Sequence, residues 1–430
     1  MKPAILSEHF TFKDGEWLKM KKFLFIGISD LDDSDSNGRT LSDVFSFINN
    51  DDIFCFSLKR NNVNLCNSNV FTIREEDIMR IKFKRYNHNP VSPIKNNDNH
   101  NRSKKNPLTC LIRTFLWKFS FLFWRNAYKM WLLETKSDYI IYNPGDFPFL
   151  NQLAVYTSKV LNKKLIIYNT EDFYFKTWNY LHKERGFGFL YPAFRKKLVS
   201  SYNKLMKQAF LCLYNVPGLT DIYSRQFPKI KHDTIFHSSQ LKPVNNRLKG
   251  KNFYYCGDLG KGRDKTLLFF SSQLQKVLPS SKIIVNGKIG RNYSEKELST
   301  IGNIAFEGFC PYKEVAKKIV SGDYILLSLG FLDDYNAKDK MHGFSTKLGD
   351  YIASGRLIVH VGKESEEFNI LLNYGLGFVC EKEEQLFKTL EIINSLDINP
   401  FFNKQMDFSH NFLSQGNNKE RIKVLINYEN

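Results

Sequence analysis

The chain lacks the marks of several protein classes. Its seven cysteines are odd in number and scattered, with no Cys-x-x-Cys or Cys/His spacing. That pattern disfavours a disulfide framework and a structural zinc site, and it suits a reducing compartment. No run of about 18 uncharged residues occurs, as a membrane-spanning helix requires. The amino-terminal stretch MKPAILSEHFTFKDGEW has no apolar segment of secretory-signal length, so the expected location is cytoplasmic. Negative charge is also in short supply: 44 acidic residues against 62 basic ones leave a net charge of +18. Such an excess implies an anionic partner: nucleic acid, a phosphorylated ligand or a membrane surface. RNP-like, zinc-finger and helix-turn-helix signatures are missing, and the basic residues sit among large apolar ones, so nucleic acid is not the expected partner.

What is present is ample core material. Apolar content of 42% and aromatic content of 15% in 430 residues fit two packed domains of roughly 200 residues each. KKFLFIGISD (21–30), followed by a polar Gly-containing loop and TLSDVFSFI, reads as a strand, loop and helix, the opening unit of a doubly wound sheet. Further strand candidates are DIFCFSL (52–58), DYIIYN (138–143), KLIIYN (164–169) and AFLCLYNV (209–216). The proline-bounded basic stretch 90–107 reads as an exposed loop, and VNNRLKGKN (244–252) as the next polar break. The opening pattern then repeats at NFYYCGDLGKGRDKTLLFF, with strands at KIIVNG (282–287), NIAFEGF (303–309), DYILLSL (323–329), RLIVHVG (356–362) and GFVC (377–380). The fold class expected is α/β, with two Rossmann-like doubly wound domains facing across a cleft. The boundaries are 1–244 for acceptor binding and 245–405 for donor binding, with 406–430 a helix packing back on the first domain.

Two motifs bear on anions. Gly257, Gly260 and Gly262 follow a strand and are joined by Arg263 and Lys265. Glycines there let backbone amides approach a phosphate while basic side chains neutralise it. The GxxGxG spacing differs from that of dinucleotide folds, and a mobile turn with solvated charges is the competing reading. In HGFSTKLGDYIASGR (342–356), Ser345 or Thr346 is a good N-cap, yet Lys347 opposes the helix dipole in the first turn. A phosphate at that helix end removes the conflict. Asp350, one turn on, offers a carboxylate to ribose hydroxyls or simply pairs with Lys347.

FSTKLGDYIASGRLIVHVG resembles the donor-site segment of GT-B glycosyltransferases, in particular the family 4 type of bacterial surface polysaccharide synthesis. FYYCGDLGKGRDKTL and NIAFEGFCPYKEVAKKIVSGDYILLSL resemble two further phrases of that group, in the same order, and FLFIGISDLDDSDSNGRTLSDVF resembles its first strand and loop. The resemblance implies a retaining transfer of sugar from a nucleotide-sugar donor to a glycan or lipid-linked acceptor. It places Gly38, Gly257, Gly260, Gly262, Arg263 and Lys265 around the donor, with Arg263 and Lys347 as counter-charges to its diphosphate. Asp350 then holds the ribose, Phe309, Cys310 and Pro311 border the base, and Ser345 and Thr346 cap the helix and contact phosphate. The group's other motif carboxylate, eight residues before Asp350, is replaced by His342. That replacement also admits a degenerate transferase-like subunit supporting a partner enzyme.

No cofactor and no essential metal are expected, since cationic side chains and helix dipoles serve the diphosphate in this fold. The acidic clusters Asp30, Asp32 and Asp33, and Asp333 with Asp334, read as solvated loop charge. Asn37, Gly38 and Arg39 are placed in the first loop, facing the cleft. Glu171 and Asp172, after a strand, are positioned to meet an acceptor hydroxyl, so that His342, Glu171, Asp172, Arg263 and Lys347 form the catalytic candidates. In LTCLIRTFLWKFSFLFWRNAYKMWLL (108–133), Lys118, Arg125 and Lys129 fall within roughly a 40° helical arc. With Trp117, Trp124 and Trp131 this suits an interfacial helix facing anionic lipid at the inner membrane surface; a core helix with one wet edge fits equally.

Overall fold

The computed structural model describes residues 21–28, 31, 36–58, 69–79, 105–181, 186–244, 251–289, 297–298, 300–333, 337, 341–393 and 395–427. Asp30, Asp32, Asp33, Asp334, the break at 245–250 and most of the 90–107 loop therefore lie outside the described residues.

Two sheets carry the chain. The first holds β1 (Phe23–Ile26), β2 (Ile53–Ser57), β3 (Val70–Thr72), β4 (Tyr139–Tyr142), β5 (Lys164–Asn169), β6 (Ala209–Tyr214) and β7 (Lys231–Thr234), in the order β3-β2-β1-β4-β5-β6-β7. The second holds β8 (Asn252–Cys256), β9 (Ile283–Asn286), β10 (Ile304–Phe306), β11 (Tyr324–Leu329), β12 (Ile358–Val361) and β13 (Phe378–Cys380), in the order β10-β9-β8-β11-β12-β13. Every pairing is parallel. Helices cover both faces, which is why the inner strands read as continuous apolar runs such as FLFI and YIIY. In both sheets the order reverses beside the first strand, β1 against β4 and β8 against β11, opening a crevice at the carboxyl ends.

The helices that matter for the site are α1 (Ser36–Val44), α2 (Glu75–Met79), α3 (Pro107–Thr135), α4 (Pro148–Leu161), α5 (Tyr191–Gln208), α6 (Pro217–Gln226), α7 (Arg263–Val277), α8 (Tyr312–Ser321), α9 (Thr346–Ser354) and α10 (Glu366–Tyr374). Asn37, Gly38 and Arg39 lie in the first turns of α1 rather than in a loop. The polar run that suggested a loop ends earlier than expected because Ser36 already begins the helix. Beyond α11 (Glu383–Ile392) and α12 (Asn399–Phe408), a π-helical turn leads into α13 (Gln415–Asn427). Ile422, Leu425 and Ile426 of α13 are buried in the core of the first sheet with Phe23, Leu41 and Phe45. Phe408 and Phe412 pack on Phe236 at 5.6 and 5.8 Å between ring centroids, so an aromatic knot ties this tail to both halves.

Helix α3 is well made locally. The Asn106 side chain and Thr109 form a reciprocal capping box, Pro107 occupies the first turn, and Lys136 closes the helix in a left-handed conformation with φ 50°. Its tryptophans do not face outward. Trp117, Trp124, Trp131 and Tyr128 are all buried against Phe56, Phe71 and Phe149 in the main core. A seven-residue spacing returns a side chain to the same helical face, and here that face is the core. The surface expected for the tryptophans belongs instead to phenylalanines and leucines, while Lys118, Arg125 and Lys129 are exposed as anticipated.

Candidate active site in the cleft

The carboxyl ends of the two sheets face one another across a cavity of about 190 Å³. Thr170, Glu171, Asp172 and Asn37 line it from the first half; Arg263, His342, Ser345, Lys363 and Glu367 line it from the second. Six residues singled out from the sequence thus meet: Asn37, Glu171, Asp172, Arg263, His342 and Ser345. Asp172 accepts the Phe175 amide at 3.1 Å, and burial pushes its carboxyl above the usual range, against the pull of His342, Lys176 and Arg195. Glu171 lies 3.7 Å from the buried Lys176. Arg263 donates to the Leu329 carbonyl at 3.2 Å with its guanidinium over the Phe331 ring, so its position is fixed by β11 and the loop behind it.

The start of α9 supplies the other wall. Ser345 stands at the N-cap position, but its Oγ makes no capping bond and lies against the buried Glu367 carboxylate, while the Nδ1 of His342 is buried without a hydrogen-bond partner. A buried polar atom left this way is uncommon. Both side chains sit at the positive end of a helix, where backbone N–H groups and the dipole favour an anion. The Ser345 amide is already committed to Oε1 of Glu367 at 2.7 Å. Burial works to raise the Glu367 carboxyl; Lys347, His360 and the Ser345 bonds outweigh it and hold the group below its usual range. Glu367 was not singled out from the sequence.

Lys347 stands just behind this wall. Its Nζ lies 3.2 Å from the Tyr255 hydroxyl and 4.4 Å from the ring centroid, beside Gly257. Gly257 and Gly262 have φ of 137° and 97°, values that side-chain-bearing residues rarely adopt, and a Cβ on Gly287 would fall 1.8 Å from the Gly257 carbonyl oxygen. The loop after β8 is therefore folded tightly against β9, with the lysine alongside it. Gly260 and Gly262 form the short turn before α7, and Lys265 is exposed on that helix. Neither those residues nor Phe309, Cys310 and Pro311 line the cavity. Phe309 is 70% exposed after β10, with the Lys288 amine 5.3 Å from its ring centroid.

Asp350 is buried in a bridge between the two halves. Arg39 donates to its two oxygens at 2.9 and 3.2 Å, Ser239 at 2.7 Å and Tyr312 at 3.2 Å. The Arg39 guanidinium stacks 3.4 Å above the Tyr312 ring and lies 3.5 Å from Asp43. Burial alone lowers the Arg39 pKa; Asp350 and Tyr312 outweigh it and raise the group above its ordinary value. Thr346 turns its carbonyl to the buried His237 at 3.1 Å, and Gly38 is buried within α1. A second bridge joins the halves where the Gly218 amide donates to Glu366 at 3.0 Å, with His342 at 3.9 Å from the same carboxylate. Among the described residues no three His, Cys, Asp or Glu side chains converge as a metal site would require.

No protein-family model and no curated protein sequence matches the chain. Solved structures do match it. Anabaena HepE in complex with UDP superposes with a TM-score of 0.58 at 11% identity, over 95% of this chain and 100% of that one. The fold is GT-B. TarM matches with a TM-score of 0.58 at 12% identity over 96% of this chain and 100% of that one. The lipopolysaccharide outer core galactosyltransferase WaaB matches with 0.53 at 15% identity, over 95% and 100%. At such identities the likeness establishes architecture alone, and function has to be argued from the residues of the site.

Proposed function

We propose that the chain is a glycosyltransferase, moving a sugar from a nucleotide-sugar donor to a hydroxyl of a lipid-linked glycan acceptor in surface polysaccharide synthesis, with retention of anomeric configuration. The observation that carries this reading is the wall of the cleft at α9. A helix start bearing the Ser345 hydroxyl shares one cavity with Arg263 and with His342, whose Nδ1 has no partner, opposite the carboxylates Glu171 and Asp172. The leaving diphosphate gains negative charge as the bond from its oxygen to the anomeric carbon breaks, and fixed donors aimed there stabilise that charge. Ser345, the amides of α9, Arg263 and Lys347 are those donors. For retention the acceptor oxygen arrives on the face that the diphosphate leaves, so its proton passes to the departing phosphate oxygen while Asp172 and Glu171 orient the hydroxyl. Cationic side chains take the role that a divalent ion plays elsewhere, and no metal or cofactor is invoked.

A cavity of about 190 Å³ is smaller than the roughly 300–1,000 Å³ of typical ligand sites. The donor therefore enters with the halves further apart, and ribose hydroxyls replace Arg39 on Asp350. Phe309, Cys310 and Pro311 then border the base. Supporting a membrane partner, Lys118, Arg125 and Lys129 project from α3, and the location that follows is peripheral, at the inner face of the cytoplasmic membrane. No helix among the described residues is long and apolar enough to cross a membrane.

A thermal-shift screen over UDP, GDP, CMP and dTDP with their sugars tests the donor site. One nucleotide raises the melting temperature of the wild type, and the shift is lost in Lys347→Ala; no response to any of them refutes the reading. Changing Lys118, Arg125 and Lys129 together to Glu reduces binding to anionic liposomes, and binding that survives the change means that these three residues face elsewhere. His342, standing where related enzymes carry a carboxylate, favours a second reading as a non-catalytic subunit; donor binding without turnover over a broad acceptor panel is its signature.

A further inference from the structure

A second concavity lies away from the cleft, on the outer side of the first half. It is a groove of about 750 Å³ lined by Thr177, Tyr191, Arg195, Lys196, Lys204 and Lys207, among others, a volume that accommodates a headgroup with its first sugar. Among the described residues no carboxylate lines it, and α5, which forms its floor, carries five basic residues, Arg195, Lys196, Lys197, Lys204 and Lys207, with no Asp or Glu. Three of these lysines, Lys196, Lys204 and Lys207, face an anion-free groove, and none forms an ion pair among the described residues. Arg195 donates to the carbonyls of Phe173 and Tyr174, fixing the segment that runs from the cleft carboxylates Glu171 and Asp172 to Thr177 at the groove. One short stretch of chain therefore borders both sites.

The rim is apolar. Phe115, Phe119, Leu122 and Phe123 are spaced i, i+4, i+7 and i+8 on α3, and all four are exposed, Leu122 to 68%. Phe187 and Phe189 are exposed in the turn that leads into α5, Phe189 to 79%. Lys118, on the edge of the α3 stripe, is close enough to Lys197 and Lys204 for their charge to add to burial in lowering its pKa. An apolar stripe flanked by unpaired cations matches one environment, an acyl layer beneath anionic headgroups. A protein partner of ordinary composition leaves those cations unmatched.

We infer that the α5 groove binds the phosphate or diphosphate headgroup of a lipid in the bilayer, with the α3 stripe and Phe187 and Phe189 seated in the acyl layer around it. The proposal rests on the glycosyl-transfer reading only for its purpose: the headgroup lipid is then the anchored acceptor, whose glycan reaches the cleft along residues 170–177.

The test is co-sedimentation with vesicles of phosphatidylcholine alone, with added phosphatidylglycerol, and with added polyprenyl diphosphate, for three proteins: wild type, Lys196→Gln/Lys204→Gln/Lys207→Gln, and Phe115→Gln/Phe119→Gln/Leu122→Gln. Wild type is expected to prefer the diphosphate lipid over phosphatidylglycerol at equal surface charge. The lysine variant loses that preference, with binding to the diphosphate lipid lowered by roughly a hundredfold, and the stripe variant binds neither anionic vesicle. Equal binding of wild type to both anionic vesicles, or an unchanged preference in the lysine variant, overturns the groove. Competition by inorganic diphosphate in a protein that ignores all vesicles overturns the lipid source. Nucleotide-dependent thermal shifts, measured on the same three proteins, remain intact whatever the vesicles show. If those shifts are absent while the lipid preference holds, the donor reading fails and the groove stands.

Discussion

The cleft and the α3–α5 face hold the chain's positive charge in opposite ways. In the cleft each cation is positioned by a partner: Arg39 by Asp350 and Tyr312, Arg263 by the Leu329 carbonyl and Phe331, Lys347 by Tyr255. On the outer face the described residues that line the groove with Lys196, Lys204 and Lys207 include no Asp or Glu, and Lys118 is pushed by Lys197 and Lys204. Fixed cations in a low-dielectric wall suit a small anion whose charge changes during reaction. Loose, mutually repelling ones suit a broad anionic surface, where each contributes independently. A net charge of +18 says nothing of this division; it emerges only from pairing.

The sharpest way to break the comparison is at Asp350. Its side chain is 2% exposed and that of Arg39 is 13% exposed, so Asp350→Asn leaves a buried guanidinium with Asp43, 3.5 Å away, as its remaining counter-charge, a loss of about 3 kcal/mol, the low end for a broken buried pair. Lys204→Gln, on the outer face, changes stability by no more than about 0.5 kcal/mol. Urea unfolding of both variants checks the contrast, and equal effects erase the distinction between the two regions. Next in size is Lys347→Ala, expected to lower turnover about a hundredfold, in the range for removing one fixed donor to a developing anion, while vesicle binding stays at the wild-type level. Turnover within a few-fold of wild type excludes Lys347 as a counter-charge.

Much of the frame was legible because parallel strands covered on both faces must be apolar runs. The edge strands β3 and β7 were not, since VFT is too short and KHDT too polar to register as strands at all. The start of α9 drew notice through a single local conflict, a lysine in a first helical turn. Glu367 was hidden by a rule of equal strength: Ser365 with Glu366 and Glu367 reads as an N-cap and acidic first turn, and Ser365 Oγ does accept the Phe368 amide at 3.3 Å. Only the tertiary approach of Ser345 gives that carboxylate a second task. Arg39, Ser239 and Tyr312 reach Asp350 across 311, 111 and 38 residues of chain, separations that local pattern cannot bridge. On α3 one face of the helix is core and the next is exposed apolar surface, a division that the basic stripe alone did not reveal.

Acidification probes the wall behind the cleft. His237 and His360 are buried, and burial drives the pKa of each down to about 4. The folded state thus binds fewer protons than the unfolded chain, whose histidines titrate near 6.5. Stability is unaffected above that value and falls as pH drops from 6.5 toward 4, by about 2 kcal/mol per histidine at pH 5. Asp172, raised by burial, works in the opposite direction and offsets part of the loss. Urea midpoints at pH 7 and pH 5 measure the net change, and His237→Gln flattens it; a profile already flat in the wild type means the two rings are protonated without cost.

The smallest expected effect is on the outer face, and it has the opposite sign. Lys118 has a lowered pKa because burial of its stem and then the charges of Lys197 and Lys204 disfavour a further cation there. Lys197→Gln removes one of those charges without removing a partner, since Lys197 forms no ion pair among the described residues. The Lys118 amine then titrates closer to its ordinary value, and relief of like-charge repulsion raises stability by a few tenths of a kcal/mol, about the size of a mismatched pair on a helix surface. NMR titration of the lysine amines reads the first quantity and thermal unfolding at low ionic strength the second. Added salt closes the gap between variant and wild type, because exposed charges are screened within about 10 Å at 0.1 M. A destabilised Lys197→Gln protein means that the lysine is holding something, and the outer face is then organised like the cleft.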